Sequence, residues 1–387
     1  MSDQSRKRQR GQYEERAPSR TSSGSGSETA PKIISVYNYK GGVGKTTIAV
    51  NTAARFAQNN ERTLIIDFDS QCNATSFFQP TSEEDDLITE ATLSEAEEEE
   101  NVEEEEAAVS VAAQPGVVRR ITGDELLEGV EAPDMDCYYN SRSEYDILEL
   151  LGPVFGGFRR GLEQVPAGDY VVPARDLLEP VGVANTNGCL FLIRGCVNMG
   201  AFLDEALLKA TAANIDMYYG AFRAFFLDLA VEHGFKYIVL DLSPSACLLN
   251  QLLVMSSDFV IPPAFPDFFS TSSVCSLLKT IMPKWITWQK RLVRSQQEKV
   301  EDGELAPNSK YLFKKEPPKF LPILATNYKK NNKKVTKGFS SYVQALRRVV
   351  LDSPPEVQNL FLPTADDVSV IAFVQNLGAA HQLSHQI

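Results

Sequence analysis

The sequence predicts an α/β protein in which a mainly parallel β-sheet is sandwiched by α-helices. Three stretches carry that expectation. The first, Ile33 to Asn51, runs from β-prone residues through three glycines into a helical pattern. The second, Arg62 to Ala74, and the third, Tyr237 to Ser245, are apolar runs that end in aspartates. Buried parallel strands read this way when they deliver polar groups to one edge of a sheet.

In the first stretch Ile33, Ile34 and Val36 lead into Gly41, Gly42 and Gly44, and Thr46 to Ala57 reads as a helix. Glycines let backbone N–H groups turn inward without Cβ obstruction, and a helix N-terminus adds its own free N–H groups. The loop of Gly41, Gly42, Val43, Gly44, Lys45, Thr46 and Thr47 is therefore expected to hold a di- or triphosphate. Lys45 is placed for the β- and γ-phosphates, and the Thr46 hydroxyl for Mg²⁺. A plain turn would explain the glycines but not the ordered succession of strand, glycines, lysine, hydroxyl and helix. The general phosphate-loop pattern fails at one place: Tyr39 stands where its leading glycine belongs, and a second lysine, Lys40, opens the loop.

That Lys-Gly-Gly-Val-Gly-Lys-Thr-Thr loop resembles the deviant Walker A loop of the ParA/MinD family of ATPases, nearest the Soj-like ParA branch of chromosome and plasmid partition proteins. The likeness extends over about residues 31–80 and 189–380. It implies a P-loop NTPase fold, ATP and Mg²⁺ as cofactors, and hydrolysis of ATP to ADP and phosphate, slow without a stimulating partner. It further implies that Lys40 reaches across a nucleotide-sandwiched homodimer to the phosphates of the other subunit. Asp67-Phe68-Asp69-Ser70-Gln71-Cys72-Asn73-Ala74 is similar to the family's Asp-x-Asp-Pro-Gln segment. Carried over, Asp67 supports the Mg²⁺ region and Asp69 orients or activates the attacking water. Ser70 replaces the usual proline, and Cys72 stands where glycine is common. Tyr237 to Ser245 is similar to the Walker B and switch II segment, which gives Asp241 the Mg²⁺ role through a bound water. Ser243 replaces the first of two prolines there. Asn327 falls where relatives present an amide to adenine.

The remaining elements follow from local pattern. Cys189–Gly195 reads as a buried strand, followed by helices through Leu207 and from Ala213 to Glu232. Asp258–Pro263 reads as a strand, and a helix after Phe265–Ser270 reaches Trp285 or beyond. Phe320–Ala325 and Leu360–Pro363 read as strands, and Val368–Gln375 as a final helix. Residues 1–30 form a polar tail expected to be disordered, with a basic cluster at Arg6–Arg10 that suits nuclear targeting, a nucleic-acid contact or neither. The ATPase domain is expected over 31–387, interrupted by insertions at 81–115 and 116–188. Residues 81–110 hold fourteen acidic side chains and no basic one, so this segment repels itself and is expected to be disordered. It is either a solvated insertion or a mimic of nucleic acid that competes for a basic surface. The 116–188 segment is longer than the family has at this point and contains the apolar patch Tyr145–Phe155.

The formal charge of −13 argues against a nucleic-acid partner, but the charge is segregated. Residues 279–348 carry seventeen Lys and Arg against five acidic residues. Lys329, Lys330, Lys333, Lys334, Lys337, Arg347 and Arg348 are the candidates for non-specific contact with a DNA backbone. A solvated loop balanced by the acidic insertion is the alternative. Six cysteines without a Cys-x-x-Cys pair speak against a zinc or iron–sulfur site within one chain. No apolar run is long enough for a membrane span or a secretory signal, and the tail Gly378–Ile387 has no basic amphipathic helix. The expectation is an intracellular protein without a membrane partner, cytoplasmic or nucleoid-associated, or nuclear in a eukaryote. The whole reading is a ParA-like ATPase that dimerises around ATP, binds DNA non-specifically, and positions DNA or a large cargo with a ParB-like activator. An ATP-gated scaffold with little hydrolysis and an iron–sulfur carrier of the wider deviant-Walker group are the alternatives.

Overall fold

Strand β1 (Lys32–Val36) sits between two parallel neighbours, so Ile33, Ile34 and Val36 are buried. The computed structural model describes residues 30–78, 146–155, 170–174, 188–199, 215–326, 330–331, 334–335, 337–362 and 371–373. All but Ala30 belong to one unit, residues 31–387.

After the glycine loop come α1 (Lys45–Gln58), β2 (Thr63–Phe68) and the short α2 (Asn73–Phe77). Most of the apolar patch at 145–155 forms α3 (Ile147–Phe155), and the edge strand β3 (Val172–Pro173) runs antiparallel to β4 (Leu190–Ile193). Then follow α4 (Ile215–His233), β5 (Tyr237–Leu242), α5 (Leu248–Ser256), β6 (Phe259–Ile261) and β7 (Pro263–Ala264). A long helical stretch consists of α6 (Phe268–Ser276), a π-turn (Leu277–Ile281) and α7 (Met282–Glu301). The chain continues through β8 (Lys319–Phe320), β9 (Ile323–Ala325), the hairpin β10 (Lys330–Asn331) and β11 (Lys334–Val335), α8 (Lys337–Leu351), α9 (Pro355–Gln358) and β12 (Ile371–Phe373).

The main sheet has seven strands in the order β3-β4-β2-β5-β1-β6-β8, parallel except at β3. A second parallel sheet has the order β12-β9-β7. One face of the main sheet packs on α1 through Ile48, Ala49, Ala53 and Phe56, and Phe56 stacks on Tyr237 with ring centroids 4.0 Å apart. The other face packs on α4, α5 and α7 through Phe222, Phe226, Leu252 and Trp285. The expected α/β sandwich is what forms.

Four local expectations change. Asp258–Pro263 and Phe320–Ala325 are each two strands, because a proline, Pro262 or Pro322, stands at each break and cannot donate to a ladder. Of Leu360–Pro363, the described residues make only a single bridge, Phe361 to Phe320. Ile371–Phe373, expected within a helix, pairs with β9 as a strand; Ile and Phe suit a pleated surface as well as a helix, and the free edge of β9 decides. The expected helix through Leu207 lies outside the described residues from 200 on.

Candidate nucleotide site

The sheet brings the three sequence stretches to one place. Val36, Asp241 and Asp67 lie in register across β1, β5 and β2, so the glycine loop and both aspartates meet at the C-terminal ends of adjacent parallel strands. Open α/β sheets place ligands at this edge. Gly42 and Gly44 adopt φ of 71° and 81°, the left-handed region that a side chain would strain. Gly44 is the N-cap of α1, so the helix starts directly from the loop.

Lys45 is 6% exposed, and its ammonium donates to the Lys40 carbonyl at 3.0 Å. Burial lowers its pKa while Asp69 and Asp241 nearby oppose that shift. Asp241 is fully buried, and neither of its oxygens has a hydrogen-bond partner of normal geometry. The Thr46 hydroxyl is still close enough to pull its pKa down slightly. Burial first, and the Asp67 charge second, push Asp241 up to about 8. A buried carboxylate left bare beside a threonine hydroxyl and a lysine is the donor set that a hard cation on a phosphate fits.

Asp67 is different. Its Oδ2 accepts from the Thr75 N–H at 2.8 Å and the Thr75 hydroxyl at 2.7 Å, and its Oδ1 accepts from the Asp69 N–H at 3.1 Å. The Thr75 Oγ1 in turn accepts from the Gly195 N–H at 2.7 Å, and a Cβ on Gly195 would come within 2.9 Å of Asp67 Cγ. Asp67, expected to support the Mg²⁺ region, is hydrogen-bonded to the turn after β2 and, through Thr75, linked to the end of β4. Asp69 holds that turn through the Gln71 N–H at 3.1 Å, and with Ser70, Ser243, Ser245 and Cys247 it lines a cleft of about 320 Å³. Ser243 and Ser245 are tied down by Asn250, whose Nδ2 donates to their carbonyls at 2.9 and 2.7 Å.

Lys40 lies at the loop entrance and donates to Asp267 at 3.2 Å and to Ser270 Oγ at 3.3 Å. Asp267 is also the N-cap of α6, accepting from the Ser270 N–H. Burial raises its pKa, but that N–H and Lys40 outweigh it and hold it below the usual value.

Sequence reasoning missed two residues that shape the loop. Asn38 donates to the Pro263 carbonyl at 2.9 Å and accepts from the Lys40 N–H at 3.1 Å. Thr326 donates to the Val43 carbonyl at 3.1 Å from the end of β9. The only sequence signal was their place, Asn38 just before the loop and Thr326 just after an apolar strand. Asn327, Lys329 and Lys333 lie outside the described residues. Lys330, Lys334 and Lys337 fall on β10, β11 and α8, and Arg347 and Arg348 are exposed on α8.

Known proteins are similar to parts of this chain. Residues 31–127 match the family model described as an AAA domain. The chromosome partitioning protein ParA of Myxococcus xanthus is 54% identical over 48 residues, which is 12% of this chain and 17% of the relative. The sporulation initiation inhibitor protein Soj of Bacillus subtilis is 56% identical over 45 residues, 12% of this chain and 18% of the relative. Part of this chain is therefore similar to proteins named ParA and Soj. The chain spans less than a fifth of the curated relatives' length in those matches, 17 and 18%. A solved structure from Corynebacterium diphtheriae shares its fold, with a TM-score of 0.56 at 17% identity over 92% of this chain and 98% of that one. Among the described residues, no helix is long and apolar enough to cross a membrane.

Proposed function

We propose that the chain binds ATP with Mg²⁺, hydrolyses it by in-line attack of water, and uses the cycle to position DNA or a large cargo. The observation that carries this reading is the bare, buried Asp241 beside Thr46 and Lys45. Bound Mg²⁺ supplies positive charge at the β- and γ-phosphates. Asp241 and the Thr46 hydroxyl would hold that ion, while the N–H groups of residues 41–47 and the Lys45 ammonium would hold the phosphate oxygens. Asp69, at the edge of the cleft between the two loops, orients the attacking water, and Asp67 keeps the Asp69 turn in place. Lys40 exchanges Asp267 for the phosphates of a second copy, which closes a homodimer around two nucleotides. The relatives named for chromosome partitioning and Soj support the partition role. The basic segment 279–348 supports non-specific DNA binding, which dimerisation multiplies by raising effective concentration. Asn327 beside the base, an activating partner of ParB type and nucleoid association belong to the same reading.

The test is DNA binding by the full chain with ATP, ADP and no nucleotide, at two salt concentrations, beside Lys40→Ala, with phosphate release followed in parallel. ATP-dependent, salt-sensitive binding that disappears in the variant supports the reading. Nucleotide-independent or absent DNA binding removes the DNA half of it. A second reading, an ATP-gated scaffold, is favoured by the Asn250 clamp on Ser243 and Ser245, which stiffens a loop that turnover has to move. Phosphate release that stays at background with and without DNA selects it.

A further inference from the structure

The Lys45 ammonium is almost fully buried near two carboxylates, Asp69 and Asp241, yet the hydrogen bond it makes goes to a neutral group, the Lys40 carbonyl at 3.0 Å. Buried opposite charges attract each other more strongly than a charge attracts a carbonyl, so that carbonyl has to be held in place against the pull. Gly41, which follows it, does not hold it: the residue is exposed, and a Cβ built there would meet nothing within 4 Å. The hold comes from the other side. Asn38 is fully buried, its Oδ1 accepts from the Lys40 N–H at 3.1 Å, and its Nδ2 donates to the Pro263 carbonyl at 2.9 Å. One main-chain donor and one main-chain acceptor fix which end of the amide is which. Residue 40 is thereby tied through one side chain to β7, a strand of the second sheet. The Lys40 side chain restrains its own backbone less, because it meets Asp267 and Ser270 only at the far end of a flexible stem.

We propose that Asn38 is a positioning residue that keeps the Lys45 ammonium off Asp69 and Asp241, so that the lysine stays available to phosphate and Asp241 to a cation. The inference rests on the nucleotide reading given above and adds a residue that reading does not use. Without the amide, residue 40 is free to turn and its carbonyl leaves the lysine. A buried ammonium needs an acceptor, and the carboxylates beside it are the groups onto which it closes. A nucleotide then has to break that ion pair before the loop can use its lysine, which weakens binding even where no divalent ion takes part. Asn38 itself meets no phosphate in this account and acts only through Lys40 and Lys45.

The experiment is equilibrium binding of a fluorescent ADP analogue to the full chain in chelator, with a thermal melt of every variant to check folding. Asn38→Ala is compared in the native background and in an Asp69→Asn/Asp241→Asn background, where neither carboxylate is left to draw Lys45. The expected result is a loss of affinity of at least about tenfold in the native background and of less than about threefold in the carboxamide background. Asn38→Ser, whose hydroxyl still accepts from the N–H two residues on, is expected to lose about threefold, again only in the native background, and takes the place of the alanine variant if that one does not fold. A loss of equal size in both backgrounds makes Asn38 a prop for the shape of the loop and overturns the inference alone, as does full affinity in the native background. A wild-type chain that binds neither ADP nor ATP analogues overturns the nucleotide reading and this inference together.

Discussion

Asp241 shows how one side chain sets the conditions under which the protein is stable. Burial and the adjacent Asp67 raise it from 3.8 to about 8, and burial, above all, raises Asp67 to about 6. A carboxyl whose folded pKa lies above its unfolded value contributes stability that is fully present below the unfolded pKa and lost as pH rises through the folded one. Without a divalent ion, the melting temperature is therefore expected to fall between about pH 4 and pH 8. Asp241→Asn is expected to flatten that fall and to stabilise the ion-free chain by on the order of 1–3 kcal/mol at pH 8, while abolishing Mg²⁺-dependent ATP binding. Melts in chelator across pH check it, and a variant that melts below wild type at pH 8 would refute the account. Thr75 belongs to the same network. Thr75→Val removes the hydroxyl that joins Asp67 to Gly195 and is expected to cost about 1–3 kcal/mol in denaturant unfolding. These partners were not legible in the sequence, because Thr75 and Gly195 are ordinary residues until the fold sets them 2.7 Å apart.

At the scale of elements, α7 holds an irregular segment in place with two buried glutamines. Gln289 donates to the carbonyls of Lys314 and Glu316 at 2.8 and 3.3 Å, and Gln296 accepts from the Phe313 N–H at 2.8 Å. Gln289→Leu leaves those carbonyls without this donor and is expected to destabilise the chain by about 1–3 kcal/mol, read from the denaturation midpoint. Full stability in that variant would mean that the 303–318 segment is held by other contacts. The π-turn ahead of α7 has a local cause. Pro283 lacks an N–H and its ring crowds the preceding turn, and the wider Leu277–Ile281 turn accommodates it. The sequence showed a helix through this region and a proline inside it, but not how the two would be reconciled. Trp285 and Trp288, for which sequence alone leaves a partner surface or, more commonly, packing, are packing residues: Trp285 is buried near Tyr37, and Trp288 meets Phe313 edge to face.

Across the whole molecule, charge segregation sets the expected behaviour with nucleic acid. Arg347 and Arg348 are exposed on α8, and Lys330, Lys334 and Lys337 lie on β10, β11 and the start of that helix. Replacing both arginines with alanine is expected to reduce the slope of log affinity for DNA against log salt by roughly 2, uniformly across DNA sequences. An unchanged slope, measured by anisotropy over a salt series, would place the backbone contact elsewhere. The fourteen acidic residues of 81–110 are expected to act in the opposite sense if they compete for that surface. Removing 81–115 is expected to tighten DNA binding at low salt and to change it little at high salt, where screening already weakens any competition.

What the sequence determined by itself was the local order: strand, glycine loop, Lys45, Thr46 and helix are neighbours along the chain, so their spacing alone points to the phosphate cradle proposed above. The aspartates that end apolar runs were legible for the same reason. Only the tertiary structure decided their division of labour. Asp67 and Asp241 look equivalent as strand-end carboxylates, yet Asp67 meets Thr75 and the Asp69 N–H while Asp241 meets no donor of normal geometry. The same holds for Lys40 against Asp267, 227 positions away, and for the placing of Ile371–Phe373 beside β9. Hydrogen bonds and strand pairing are short-range in space but indifferent to distance along the chain, so their partners exist only once the sheet has formed.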